Sequence, residues 1–189
     1  MTRSITRGFV VCALAAAATA PTFAANDLTG TTVAIDWKYP DLMHNYESNA
    51  VVVGPGPEIS CAGGAVGTGL CKGFIDSATI DIGANTLSLT INSGSVAWVP
   101  KAFNGYEFSG LSTGGSWSGY NLTTTFEGLD SSRITFTPDA VWVNMQGIVP
   151  SANESFTISL TSAVPEPANL ALLLAGMGAL VCIARRRVS

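Results

Sequence analysis

The chain has 189 residues, with 13 acidic and 9 basic side chains, a formal net charge of −4 and 47% hydrophobic residues. Acidic chains repel phosphate backbones, which argues against nucleic acid as a partner. The length suits one ordinary domain, and much of the hydrophobic excess sits at the two chain ends.

Arg3 and Arg7 lead into an apolar segment from Gly8 to Ala20, followed by Thr22-Phe23-Ala24. A basic start, an apolar middle and small residues before the cut describe a secretory signal peptide, residues 1–24, with a signal helix removed by signal peptidase. Its apolar segment of 13 residues is too short to span a bilayer comfortably. The middle of the chain, residues 25–163, carries four basic residues (Lys38, Lys72, Lys101 and Arg133) against twelve acidic ones, a net charge of −8. These acids are scattered, as on a solvated surface.

Within the middle, short alternating stretches bounded by glycine, asparagine and proline predict strands and no long amphipathic helix. Thr31 to Trp37 alternates through Val33, Ile35 and Trp37. Ala50 to Val53 is a β-branched run closed by Gly54-Pro55-Gly56-Pro57. Phe74 to Ile82 and Leu87 to Ile91 flank the turn signal Gly83-Ala84-Asn85, and Asn92-Ser93-Gly94 turns the chain again into Ser95 to Val99, which reads as a meander. Further strands are expected at Gly105 to Phe108, Tyr120 to Phe126, Arg133 to Thr137, Ala140 to Met145 and Phe156 to Leu160. The whole predicts an all-β fold, an antiparallel β-sandwich of about eight or nine strands.

Two cysteines, Cys61 and Cys71, lie in this domain; Cys12 and Cys182 lie in the two ends. A pair in an exported chain predicts one disulfide, closing the glycine-rich loop Ala62 to Leu70. A metal pair is the alternative, but zinc needs three or four ligands and His44 is the one histidine of the chain.

No catalytic set stands out, so the chain is expected not to be an enzyme, with no metal and no cofactor. Gly115-Ser116-Trp117-Ser118-Gly119 resembles a nucleophile elbow but has tryptophan where serine must stand. The stretch Gly67 to Gly73 lacks the spacing of a phosphate loop. Among carboxylates, Asp76 and Asp81 would face opposite sides of a strand, and Glu127 and Asp130 flank a turn. The aromatics Trp37, Tyr39, Trp98, Tyr106, Trp117, Tyr120 and Trp142 fall near strand ends or loops, where rings serve either the core or a sugar ligand. Trp37 and Trp98 read as core. Trp117 and Tyr120 are the candidate glycan-binding residues, Trp117 because it lies in a glycine-rich loop.

After the last strand come Val164, Pro165, Glu166 and Pro167, an uncharged apolar run of 17 residues from Ala168 to Ala184, and then Arg185, Arg186 and Arg187. As a helix the run would be about 25 Å long, the short end of a transmembrane span. The arginines favour the cytoplasmic side and leave the middle of the chain outside. Motif, span and basic end together resemble the PEP-CTERM sorting signal of Gram-negative bacteria, here residues 164–189. The resemblance implies recognition by an exosortase, removal of the tail, and a host that makes exopolysaccharide. The expected function is an exported structural or adhesive protein of the envelope or exopolysaccharide matrix, passing through a membrane-anchored intermediate to the cell surface. Alternatives are a carbohydrate-binding module and a glycan hydrolase with a discontinuous carboxylate site.

Overall fold

The computed structural model describes residues 26–62, 69–73, 77–93 and 97–162, all of them within one compact unit, Ala25–Pro167. The expected signal peptide, the sorting motif with its span and arginines, and the centre of the glycine-rich loop lie outside the described residues. Among the described residues no helix is long and apolar enough to cross a membrane.

Ten strands are described: β1 Thr32–Lys38, β2 Asn45–Val52, β3 Ile59–Ala62, β4 Ser77–Ile82, β5 Thr86–Ile91, β6 Gly105–Ser109, β7 Trp117–Thr124, β8 Ile134–Phe136, β9 Ala140–Asn144 and β10 Ser155–Ser162. Among the described residues the helical content is three short 3-10 turns, Gly69–Gly73, Leu111–Gly114 and Ser131–Arg133. The strands form two five-stranded sheets, β2-β1-β6-β9-β8 and β3-β4-β5-β10-β7, with every pairing antiparallel. The all-β antiparallel character read from alternation is therefore present. Among the described residues the strands number ten, against about eight or nine expected.

Alternation sets which residues are buried. In β4 and β5 every second residue is buried, giving Ala78, Ile80 and Ile82 beside Leu87, Leu89 and Ile91. β10 adds Phe156, Ile158 and Leu160, and the other sheet adds Val33 and Ile35, Tyr106 and Phe108, Val141 and Val143. All belong to one hydrophobic cluster, and each such side chain contributes about 1.5–3 kcal/mol on leaving water. A chain of rings runs through it: Trp37 to Tyr106 at 6.2 Å, Tyr106 to Trp98 at 6.3 Å, Trp98 to Phe126 at 6.4 Å and Phe126 to Phe156 at 6.1 Å. Burial pushes the Tyr106 phenol well above its usual pKa, so it stays neutral.

Three differences from the sequence reading have local causes. Of the expected strand Ser95 to Val99, the described residues 97–99 are not strand: Trp98 N donates to Ile148 O at 3.0 Å and Trp98 O accepts from Gly147 N at 2.5 Å, so its backbone bonds go to a loop. The meander therefore stops after β5, whose second neighbour is β10. β2 begins at Asn45, well before the β-branched run, and β3 lies where prolines and the coming glycines masked the pattern.

The Cys61–Cys71 disulfide is formed, with Cα atoms 5.3 Å apart. It ties the Gly69–Gly73 turn to β3, an edge strand of one sheet, while the turn also packs on β2, an edge strand of the other. Leu70 is fully buried in the common core. The Asn49 side-chain oxygen, on β2, accepts from Leu70 N at 2.9 Å. Gly69 has φ +57°, a left-handed conformation that favours glycine, and a β-carbon there would lie 2.6 Å from that Asn49 amide. This flank is closed by a covalent tie; the opposite flank is bounded by the edge strands β7 and β8.

Candidate functional site

The expected exposed tryptophan is buried. Trp117 is 2% exposed, and its Nε1 donates to Leu111 O at 2.8 Å. The cause is a bulge: Thr161 faces Gly119 but Ser162 faces Trp117, so Ser118 is an extra residue in β7. Counting back from Tyr120, plain alternation would turn Trp117 away from the core; the extra residue turns it in. Trp117 is thus corrected from glycan-binding candidate to core residue.

Tyr120 lines an open groove of about 880 Å³ between β7 and β8, with Leu122, Thr124, Leu129, Asp130 and Phe136. Its ring lies 5.8 Å from Phe136, and its hydroxyl donates to Ser131 O at 3.3 Å. Trp117 and Tyr120 therefore do not form one exposed platform.

A smaller and more enclosed pocket of about 370 Å³ lies at the loop end of the β1–β2 hairpin, lined by Trp37, Tyr39, Tyr46, Lys72, Val99 and Asn104. Trp98 is core as expected, but Trp37 is half-buried and serves the pocket wall. A second bulge builds this wall. Trp37 faces Glu47 while Lys38 faces Asn45, so Tyr46 is the extra residue of β2. The bulge re-aims Tyr46, whose ring meets Trp37 edge-on at 5.2 Å and Tyr39 at 6.1 Å.

Asn104 fixes the indole. It is 2% exposed, accepts from Trp37 Nε1 at 2.9 Å and donates through Nδ2 to Val99 O at 3.0 Å. Gly105, next in the chain, lets β6 come close: a β-carbon there would lie 1.9 Å from Val143 O. The hairpin loop is pinned by Tyr39 N to His44 O and Phe103 N to Pro40 O, each 3.0 Å, and contains a cis Tyr39–Pro40 bond. Met43, at its tip, is 88% exposed.

Charge enters the pocket through Lys72, on the disulfide-tied turn. Its Nζ lies 3.0 Å from Glu47 Oε1 and 5.9 Å from the centre of the Tyr46 ring. The hydrogen bond to Glu47 raises the Lys72 pKa, so the head is an ammonium. Three rings, one buried amide and the Lys72 ammonium, itself paired with Glu47, thus converge on one concavity, a chemistry suited to a polar ligand with apolar faces.

His44 does not reach this chemistry. Its Nδ1 is 2.7 Å from Asp41 Oδ1 within its own exposed turn, and that hydrogen bond lowers the Asp41 pKa. Of the carboxylates considered from sequence, Asp76 lies outside the described residues, and Asp130 accepts from Ser132 N at 2.8 Å as the cap of a 3-10 turn. The register instead sets Asp36 opposite Glu107, with Lys38 Nζ 3.8 Å and 2.8 Å from them. The lysine ties this pair into the sheet. Among the described residues no three His, Cys, Asp or Glu side chains gather as metal ligands.

No protein-family model, curated protein or solved structure matches the chain.

Proposed function

We propose that the chain is an exported adhesive protein of a bacterial envelope or exopolysaccharide matrix, and that its aromatic pocket holds a sugar unit. The observation that carries this reading is the pocket of Trp37, Tyr39 and Tyr46, with the indole held by the buried Asn104. Pyranose rings present apolar C–H faces that stack on aromatic rings, and their hydroxyls need polar partners such as the pocket's amide and charges. The common core of the two antiparallel sheets supports a β-sandwich as the frame. The disulfide supports an oxidising compartment. Export through the signal peptide, residues 1–24, and sorting by an exosortase through Val164-Pro165-Glu166-Pro167 and Arg185 to Arg187 belong to the same proposal.

Pull-down of the full chain with matrix polysaccharide from an exopolysaccharide-producing bacterium tests the pocket. Tyr39→Ala and Tyr46→Ala are expected to lower retention about tenfold, in line with the loss of one stacking ring. Retention equal to that of the parent in both variants would reject the site. Mass spectrometry of the protein recovered from its host tests the sorting: both ends are expected to be missing, and a C-terminus still at Ser189 would reject tail removal.

A further inference from the structure

We propose that the pocket selects a polysaccharide carrying free primary amines, the ammonium of one amino sugar taking the place that the Lys72 ammonium holds over Tyr46 and against Glu47. The proposal rests on the sugar-binding reading above and adds the class of sugar.

The position of the cation is already defined by the chain itself. Lys72 Nζ sits 3.0 Å from a carboxylate oxygen and 5.9 Å from an aromatic centre. Both attract positive charge, the carboxylate by a charge-assisted hydrogen bond and the ring by its quadrupole. The two partners differ in how firmly they are held. The Glu47 side chain is 13% exposed and stands opposite Trp37 in the β1–β2 register, so the sheet holds it in place behind the lysine head. The Lys72 side chain is 61% exposed, on a flexible four-carbon stem. When the lysine head swings out to water, the carboxylate and the ring stay in place and offer the same position to another ammonium.

The long-range field favours the same class. Residues 25–163 carry a net charge of −8. Of their four basic residues, Lys38 is held between Asp36 and Glu107, and Arg133 donates to Gln146 O at 2.7 Å. An acidic body attracts a polycationic chain and repels a polyuronate. Beside the ammonium position, the rings of Trp37 and Tyr39 supply the apolar surface for the rest of the sugar.

Titration calorimetry on the full chain in mild detergent, with oligomers of glucosamine, of N-acetylglucosamine and of galacturonate, tests this. The amine form is expected to bind about tenfold tighter than the acetylated form, as for one charge-assisted hydrogen bond. Raised salt is expected to narrow that gap. Glu47→Gln is expected to weaken the amine form about tenfold. Lys72→Ala, at an exposed position, is expected to tighten it about threefold by removing the internal competitor. Equal binding of the amine and acetylated forms, tighter binding of galacturonate, or weaker amine binding by Lys72→Ala would each overturn the amine selectivity while leaving sugar binding intact. Failure of all three saccharides to bind would reject the pocket reading and this inference together.

Discussion

Trp117 shows how much one side chain can be asked to do inside a small domain. Its ring is buried and its indole nitrogen holds the carbonyl of Leu111, while Leu111 N donates to Asp139 O at 3.0 Å. Trp117→Ala is expected to destabilise the fold by about 3–5 kcal/mol, the range for a large aromatic lost from a core. Glycan retention by the folded fraction should not change. Chemical denaturation checks the first point, and a loss below about 1 kcal/mol would place the ring at the surface after all. Next to it, the Asp139 carboxylate accepts from Ser112 N at 3.0 Å and from Ser112 Oγ, which lowers its pKa. The folded state therefore binds this proton less readily than the unfolded one. The resulting stability is complete above the ordinary carboxylate range and is lost as pH falls through the lowered value. Melting scans should show Asp139→Asn to be less sensitive to acid than the parent; equal sensitivity would remove Asp139 from the acid response.

Two bulges decide the functional geometry at the scale of elements. One places Trp117 inside and the other brings Tyr46 over Trp37. Neither was legible in the sequence, because a bulge is one added residue in one partner and shows only once the register is known. The period-two pattern did reveal β1, β4, β5, β9 and β10, where buried and half-buried residues alternate regularly. Of the pocket, Trp37 and Tyr39 stand out in the sequence as aromatics near a strand end. Tyr46, Asn104 and Lys72 do not, since they come from three separate segments that meet only in the fold. The disulfide was legible from cysteine count and compartment, and its consequence is local. Replacing both Cys61 and Cys71 by serine is expected to lower stability by about 2–3 kcal/mol. The Gly69–Gly73 turn should then exchange amide protons faster than β4 and β5. Uniform exchange across these elements would show that Leu70 and Asn49 hold the turn unaided.

For the whole molecule, composition and alternation were enough for an all-β antiparallel body, because two sheets around one core require buried residues at every second position. Strand order was not legible, since β1 pairs with β6 and β5 with β10 across long separations. The position of β10 bears on any protein held by its C-terminal end. This strand lies between β5 and β7, and the chain leaves it at Ser162. A pull applied beyond Ser162 along the strand loads both ladders in shear, so many hydrogen bonds must yield together. A tug on an edge strand would open one ladder bond by bond. A body loaded at Ser162 is therefore expected to resist drag.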